Sequence, residues 1–456
     1  QGPGAATIGA GAWPCRSGSG GGGRPTKRSE DRRASSSTPP DPGGGLAGGG
    51  SAEAAAPATG SRALVEGIRR SRLVGVDPAK LPEELRLGLQ ELRQSLAAAA
   101  DRLARDLYES EAHFVQELLQ NADDNKYADG VRPTLRFSLR RLGGERDAAG
   151  GAGVGYFVAA NNELGLSEAD VRALCDISRS SKCAADGATT GYKGVGWKSV
   201  FRVCDCPHVL SGEWRFRFGG AGLGMLTPEW IEDADYDALP VDVVAAHRAG
   251  NTVFFLPITD GSSLTSIESE LQAMASDATH ILFLRRVREV LVDDSGWGYA
   301  VRIVADSPPG STLVVSATER LPRGAGDASE DVSAAEGAAE APGRAETAFR
   351  VASVGDVAVA LPLVAEPPTQ RIFAFLPVRA VGFRFAVQAP FHLTASRADL
   401  HRSAANARRR NAVAGAFLEA CRADTAVASA ALTYLGNEPA DAFWLPVRAA
   451  ILAGLG

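Results

Sequence analysis

The sequence predicts an α+β fold in which helices pack on a mixed β-sheet. Helical and extended patterns alternate along residues 112–295, and such a mixture buries its apolar surface by packing helices on a sheet. The segments 134–139, 214–218 and 251–256 alternate in the way of half-buried strands. Phe114–Asn125 instead places its apolar residues at helical spacing. Together these observations predict a two-layer α/β sandwich.

Two regions precede this sandwich. Residues 1–60 consist mainly of Gly, Ser, Ala and Pro with scattered charges. They cannot bury enough apolar surface to offset chain entropy, so the sequence predicts disorder there. Residues 61–111 repeat leucines at helical spacing, with a turn at Val74–Pro78. They are predicted to form a helical extension of two helices.

The rest of the chain is divided by composition. The prediction is an α+β domain at 112–295, followed by a second α/β domain that begins at 296–321 and continues at 347–403. A disordered insertion rich in Ala, Gly, Glu and Asp separates these two parts at 322–346, and a helical segment follows at 404–456. Thr312–Ser316 and Phe373–Leu376 are expected to belong to a second sheet. Because the chain starts at Gln1 and stops at Gly456 without a clear ending, we expect a fragment of a longer protein.

Composition excludes several classes of protein. The net charge of −6 argues against a general nucleic-acid-binding surface, which needs a basic excess. The six cysteines form no CxxC pair and do not require an oxidising compartment. No apolar run reaches the roughly 18–20 residues of a membrane span. We therefore expect an intracellular protein without a membrane anchor, in a compartment, nucleus or cytoplasm, that the sequence does not resolve.

The helix at Phe114–Asn125 carries the first candidate site. Glu117, Asn121 and Asp124 lie at positions i, i+4 and i+7, so their side chains share one face. Asn121 offers a carbonyl oxygen to a hard cation, and Glu117 can polarise a water molecule. A carboxylate beside a carboxamide is costly to bury unless a ligand binds it, as a magnesium nucleotide would. A solvated amphipathic face has the same pattern, and this alternative stays open.

Two later segments favour the nucleotide. Val158–Gly165 has the pattern of a short buried strand that runs into a polar turn. Ser167 then begins a helix, with Asp170 at the capping-box position. In Gly191–Phe201, three glycines precede an apolar helical start. Such a loop can bring backbone N–H groups against phosphate oxygens, although most glycine-rich turns are only turns.

Taken together and in this order, the three segments resemble the GHKL ATPase superfamily, which includes the ninety-kilodalton heat-shock chaperone, DNA gyrase, MutL and sensor histidine kinases. The N-box, the first glycine box and the second glycine box are matched by Glu117–Asp124, Asn161–Ser167 and Gly191–Ser199. Within the superfamily, the resemblance over roughly residues 100–430 is to the branch of sacsin and NO VEIN. It is carried by Phe114–Asn125, Ala173–Ile177 and Lys198–Val203. The implied fold is a Bergerat-type sandwich with one face of the sheet covered and the other more open.

The resemblance implies a role for each matching residue. Glu117 is the general base on the attacking water, Asn121 holds Mg²⁺, and Asp124 is a third polar position near the nucleotide. The remaining implied contacts are a phosphate lid formed by Gly191, Gly194 and Gly196 and a polar stretch before it, which includes Ser181 and Lys182. Lys193 and Lys198 add positive charge near this loop, although lysines beside a loop are usually only solvated. The implied cofactors are ATP and Mg²⁺.

The adenine contact departs from the family pattern. In the family, a carboxylate of the first glycine box accepts a hydrogen bond from the adenine amino group. A register without gaps puts Asn161 there, and a one-residue slip puts Glu163 there; both side chains have an acceptor oxygen, and the choice stays open. Gly165 completes the box. Thr252 resembles the strand threonine that supports the adenine site.

A second resemblance is to the middle domain of the heat-shock chaperone, and it covers Phe391–Leu400. It implies that Arg397 reaches the terminal phosphate and stabilises the charge that develops in phosphoryl transfer. His401 stands where the chaperone has a glutamine. Under this interpretation, ATP cleavage requires the two regions to close on each other. The alternative is a surface arginine at a helix start.

Two functions follow as expectations. The first is an ATP-binding and ATP-hydrolysing conformational machine with a chaperone-like or scaffold-remodelling role. The family resemblance also implies that this machine forms a homodimer. The second is a degenerate nucleotide-binding or non-catalytic protein-interaction module, which the altered first glycine box favours. A histidine kinase is disfavoured, because no helix with a phosphoacceptor histidine precedes the N-box. The sequence does not indicate the client or partner protein.

Overall fold

The computed structural model describes residues 60–106, 114–142, 154–176, 196–219, 222–295, 300–306, 312–320, 344–394 and 397–456. The α-helices of these residues are α1 Gly60–Ser71, α2 Glu83–Asp106, α3 Phe114–Asp124, α4 Glu168–Leu174, α5 Asp233–Asp237, α6 Val241–Arg248, α7 Gly261–Ser276, α8 Ala404–Ala423, α9 Thr425–Ser429, α10 Ala431–Tyr434 and α11 Leu445–Leu455. Short 3-10 helices cover Pro78–Lys80, Gly196–Arg202, Gly222–Met225 and Ala278–Ile281.

The strands of the described residues form one mixed sheet. They are β1 Thr134–Arg141, β2 Gly155–Asn161, β3 His208–Ser211, β4 Trp214–Phe218, β5 Pro228–Trp230, β6 Thr252–Ile258, β7 Glu289–Asp294, β8 Ala300–Asp306, β9 Thr312–Arg320, β10 Arg344–Val354, β11 Val357–Pro362, β12 Arg371–Ala374, β13 Leu376–Ala380 and β14 Ala386–Gln388. Their order across the sheet is β13-β12-β14-β11-β10-β9-β8-β7-β1-β2-β6-β3-β4-β5.

The expected second sheet is wrong. Thr312–Ser316 lies in β9, and most of Phe373–Leu376 lies in β12 and β13, all within the 14-stranded sheet. The reason lies at β7, which pairs in parallel with β1 on one side and antiparallel with β8 on the other. Since no edge of β7 is left unpaired, the hydrogen-bonded ladder continues from the first region into the second.

The faces of the sheet are covered unequally. On one face, α3, α7 and the 3-10 helix Gly196–Arg202 share a core with Phe157 of β2 and Leu256 of β6. Opposite side chains of the same strands, such as Val158 and Phe255, pack in a second core with residues of α5 and α6. The expectation of a more open second face is therefore wrong at β2, β3 and β6. The sequences of β2 and β6 are nearly continuous apolar runs because both faces of these strands are buried.

The terminal helices lie at the two ends of the sheet. Near one end, α1 packs on β4 and β5, and α2 packs on the 3-10 helices Gly196–Arg202 and Gly222–Met225. Near the other end, α8 packs on β10 and β11, and α8–α11 share a core around the fully buried Trp444. The fold is thus a mixed α+β structure with a helical C-terminal segment, as predicted. The predicted capping box is also confirmed, since Ser167 and Asp170 cap α4 reciprocally.

Candidate active site

Helix α3 positions the central carboxylate. Its apolar side packs on the sheet, with the rings of Phe114 and Phe157 5.3 Å apart and with Leu118 and Leu119 buried. Glu117 is also buried, with 4% of its surface exposed. A buried carboxylate needs compensating partners, because desolvation of an ionised group is expensive.

One neighbour of this carboxylate is a glycine far along the chain. A Cβ atom added at Gly196 would lie 2.8 Å from Cδ of Glu117, and closer still to Oε2. The absence of a side chain at Gly196 therefore lets the backbone approach the carboxylate directly. Of the three glycines of the second glycine box, Gly196 is the one that the structure describes, and it lies directly against the N-box helix.

The other neighbour comes from beyond β14. Arg397 forms an ion pair with Glu117, with Nη2 and Oε1 3.1 Å apart. Its Nη1 donates a hydrogen bond to Oε1 of Gln120, which lies about one turn after Glu117 in α3. Arg397 has a φ of 57°, a conformation that costs a non-glycine residue about 1 kcal/mol or more. Its backbone N–H donates to the carbonyl of Thr394 at 2.9 Å, which holds this turn.

The other two N-box residues differ in their surroundings. Asn121 is half-buried, and among the residues that the structure describes its carboxamide has no hydrogen-bond partner. Asp124 is instead engaged by an ion pair with Arg285. The preceding Asp123 accepts hydrogen bonds from the backbone N–H groups of residues 285–287. The end of α3 is thus pinned to the segment before β7, and a nucleotide contact of Asp124 stays a prediction.

The first glycine box forms a buried turn after β2. Asn161 and Glu163 are both buried, and Oδ1 of Asn161 accepts a hydrogen bond from the N–H of Glu163 at 3.3 Å. Alternation along β2 puts Asn161 on the same face as Phe157, which packs on α3. Gly165 has a φ of 97°, so the turn needs a residue without a Cβ atom. Both candidates for the adenine contact therefore lie in one turn on the α3 side of the sheet.

Thr252 supports this turn from the neighbouring strand. It is the cross-strand partner of Asn161 in the β2–β6 ladder, and partners of this kind share a face. The hydroxyl groups of Thr252 and Ser211 lie 2.6 Å apart. Ser211 Oγ in turn accepts a hydrogen bond from the N–H of Leu166 at 2.9 Å. Thr252 is thus linked through Ser211 to the first glycine box.

Tyr127 lies near the same turn, just after α3. Its hydroxyl donates a hydrogen bond to the carbonyl of Ala122 at 2.8 Å. Burial raises the pKa of Tyr127, and the carboxylates of Glu163 and Asp123 raise it further. The phenol is therefore a neutral donor at physiological pH, and it adds no charge to the site.

The structure brings together Glu117, Gly196 and Arg397 at one point, and Asn161, Glu163, Gly165 and Thr252 at the end of β2. The predicted residues that lie outside the described residues are Ser181, Lys182, Gly191, Lys193 and Gly194. Three contributors were missed by sequence reasoning: Gln120, Asp123 and Ser211. Only Asp123 had a sequence signal, since an acid inside an apolar helical run needs a partner when it is buried.

A cavity of about 450 Å³ lies elsewhere, between α2, the turn after α1 and the 3-10 helix Gly222–Met225. Its lining is mainly apolar and includes Val74, Val76, Ala97 and Leu223. It shares no lining residue with the site around Glu117. In the described part of the chain, no helix combines the length and the apolar character that crossing a membrane requires.

Comparison with known proteins gives matches over the same region. The model of the Sacsin domain family matches residues 103–218, which include α3, the first glycine box and Gly196. The chain is similar to Protein NO VEIN of Arabidopsis thaliana, with 31% identity over 357 residues, 74% of this chain and 12% of that protein. It is also similar to Sacsin of Homo sapiens, with 32% identity over 107 residues, 23% of this chain and 2% of that protein.

The chain therefore spans only a small part of the length of these relatives. Among solved structures, it is similar to the B-subunit of the DNA gyrase from Myxococcus xanthus, with 10% identity and a TM-score of 0.26. That alignment covers 46% of this chain and 60% of that one, and its score is too low to support an argument. By its sequence matches, the chain is similar to the Sacsin domain family, to Protein NO VEIN and to Sacsin.

Proposed function

We propose that this region binds MgATP and hydrolyses it, and that hydrolysis drives a change in the position of the segment that carries Arg397. One observation carries the proposal. Segments around residues 117, 196 and 397 meet at a single buried carboxylate, at the positions that the resemblance gives to the base, the phosphate-binding turn and the arginine.

The residues present fit a magnesium nucleotide. Mg²⁺ is usually held by one or two protein oxygens together with phosphate oxygens and waters. Asn121, a half-buried carboxamide one turn from Glu117, supplies one such oxygen. When bound, Mg²⁺ neutralises charge on the phosphates during phosphoryl transfer. Glu117 takes the proton of the attacking water as general base.

Arg397 changes its partner in this mechanism. In the structure, its guanidinium group lies against Glu117 and Gln120. The terminal phosphate of ATP carries more negative charge than the glutamate, and a charge-assisted contact to it is stronger. Transfer of Arg397 to the phosphate frees Glu117 to accept a proton and places a cation where charge develops.

This exchange couples the nucleotide to the rest of the fold. Arg397 lies a few residues before α8, which packs on β10 and β11. A shift of the arginine therefore reaches the helical C-terminal segment and provides the conformational output of a chaperone-like or scaffold-remodelling machine. A motion of this kind gates many enzymes that close over a substrate.

The test is a calorimetric titration with MgATP and a phosphate-release assay on wild type and Glu117→Ala. We expect binding by both proteins and hydrolysis by wild type alone, because the substitution removes the base and leaves the metal and phosphate contacts. Hydrolysis that persists in Glu117→Ala refutes the assigned base. Gly67→Ala, a change in α1 with open space around the new methyl group, serves as the control.

A second candidate function is the degenerate interaction module. It is favoured by the hydrogen bond of Asn161 to Glu163, because an acceptor oxygen already engaged within the turn is less available to adenine. This alternative predicts no MgATP binding by wild type or by Glu117→Ala. If the module is instead nucleotide-dependent but not catalytic, wild type is expected to bind MgATP without hydrolysing it.

A further inference from the structure

A buried lysine lies close to the proposed site without touching it. Lys198 is 2% exposed, which is rare for lysine unless its charge has partners. Its Nζ atom donates hydrogen bonds to the carbonyls of Leu174 and Met225, both at 2.6 Å. It also lies 5.1 Å from the ring centre of Phe218 and 5.6 Å from that of Phe201. These contacts compensate in part for the desolvation of the charge.

Both carbonyls belong to the ends of helices. Leu174 is the last residue of α4, and Met225 is the last residue of the 3-10 helix Gly222–Met225. The C-terminal end of a helix carries partial negative charge on its unpaired carbonyl groups. A single side-chain nitrogen therefore joins two helix ends that lie about fifty residues apart in the chain.

The position of Lys198 connects this junction to the catalytic carboxylate. Lys198 lies two residues after Gly196, within the same 3-10 helix. Ser199 Oγ donates a hydrogen bond to the carbonyl of Gly196 at 2.5 Å, and the buried ring of Trp197 packs 5.0 Å from that of Phe254. Gly196 itself lies against Glu117. An anchored Lys198 thus fixes the backbone that confines the carboxylate.

We propose that Lys198 is a positioning residue for ATP hydrolysis: by joining the ends of α4 and the 3-10 helix Gly222–Met225, it holds Gly196 against Glu117. Its catalytic consequence rests on the proposed function, whereas the junction itself does not. Among the described residues, Lys198 donates no hydrogen bond to Glu117 or to another residue proposed to contact the nucleotide, so its effect on the base passes through Gly196.

The first test compares Lys198→Met with wild type in steady-state phosphate release. Methionine keeps an unbranched apolar side chain between the two rings and removes the donors to both carbonyls. We expect kcat to fall about tenfold or more, since a misplacement of about 1 Å can cost about a hundredfold. KM for MgATP is expected to change less than about threefold, because Lys198 is proposed to position the base and not to bind the nucleotide. The exposed Lys80→Met is the matched control.

The second test uses hydrogen–deuterium exchange without nucleotide. In Lys198→Met, amides of residues 172–176 and 196–203 are expected to exchange at least about tenfold faster, while those of α8 stay unchanged. Unchanged exchange rates in both segments would overturn the claim that Lys198 joins the two helix ends. Faster exchange with kcat within twofold of wild type overturns the positioning role. If wild type releases no phosphate, the proposed ATP hydrolysis is wrong. The exchange rates then test only whether Lys198 joins the two helix ends.

Discussion

Gly196→Ala tests whether the close approach of two chain segments sets the geometry of the base. The new Cβ atom would lie 2.8 Å from Cδ of Glu117 and closer to Oε2, whereas ordinary contact begins at 3.4 Å. The carboxylate therefore has to retreat by about 1 Å, a displacement that can cost about a hundredfold in rate. This retreat also disturbs the 3.1 Å ion pair with Arg397.

The backbone tolerates alanine at this position, because Gly196 is not among the residues with positive φ. The fold is expected to persist, with a melting temperature within a few degrees of wild type. In steady-state phosphate release, kcat should fall about a hundredfold while KM for MgATP stays within about threefold. Gly67→Ala, where the added methyl group meets no atom within 4 Å, should behave as wild type.

One result refutes this reasoning. If Gly196→Ala keeps kcat within threefold of wild type while Glu117→Ala abolishes turnover, the glycine does not confine the base. The carboxylate then reaches its working position by a route that does not depend on contact with residue 196. A loss of folding, seen as a large drop in melting temperature, would contradict the expectation that alanine is accepted at this backbone position.

Three further predictions concern residues around the site. Asp123→Ala leaves the N–H groups of residues 285–287 without their acceptor, and should lower the free energy of unfolding in urea by about 3 kcal/mol. Ser211→Ala removes the hydroxyl between Thr252 and Leu166, and calorimetry should show several-fold weaker MgATP binding. For Lys198, burial lowers the pKa from 10.5 to about 7. Since the unfolded state then binds more protons than the folded state between these values, the unfolding free energy should rise with pH in this window.

Each of these has its own contradicting result. An Asp123→Ala variant as stable as wild type would mean that water replaces the carboxylate. Unchanged binding by Ser211→Ala would exclude the serine from support of the first glycine box. For Lys198, unfolding is measured at pH 7 and pH 9 in wild type and Lys198→Met. An equal change with pH in both proteins would show that other groups cause it.

Local pattern was enough to predict α3 and the cap of α4. The spacing of Glu117 and Asn121 on an apolar helix, together with the capping box of Ser167 and Asp170, depends on residues within one or two turns. The apolar content of β2 predicted a buried strand. It did not predict that α6 would cover its second face, because burial on one face or on two is decided by packing partners elsewhere in the chain.

Long-range contacts could not be predicted in this way. The ion pair of Arg397 with Glu117 joins residues 280 positions apart, and only the resemblance to a family suggested that the two meet. Gln120 and Ser211 are common polar residues at buried positions, and nothing in their local sequence identifies their partners. The continuation of the sheet through β7 was missed for the same reason, since strand pairing is a property of the assembled fold.

The most direct test of the central claim is a crystal structure of Glu117→Ala with MgATP, in which slow turnover preserves the substrate. We expect Mg²⁺ at the carboxamide of Asn121, the adenine base at the turn of Asn161 and Glu163, and Arg397 moved from α3 to the terminal phosphate. Nucleotide bound away from α3, or Arg397 still against α3 with the triphosphate in place, would contradict the account.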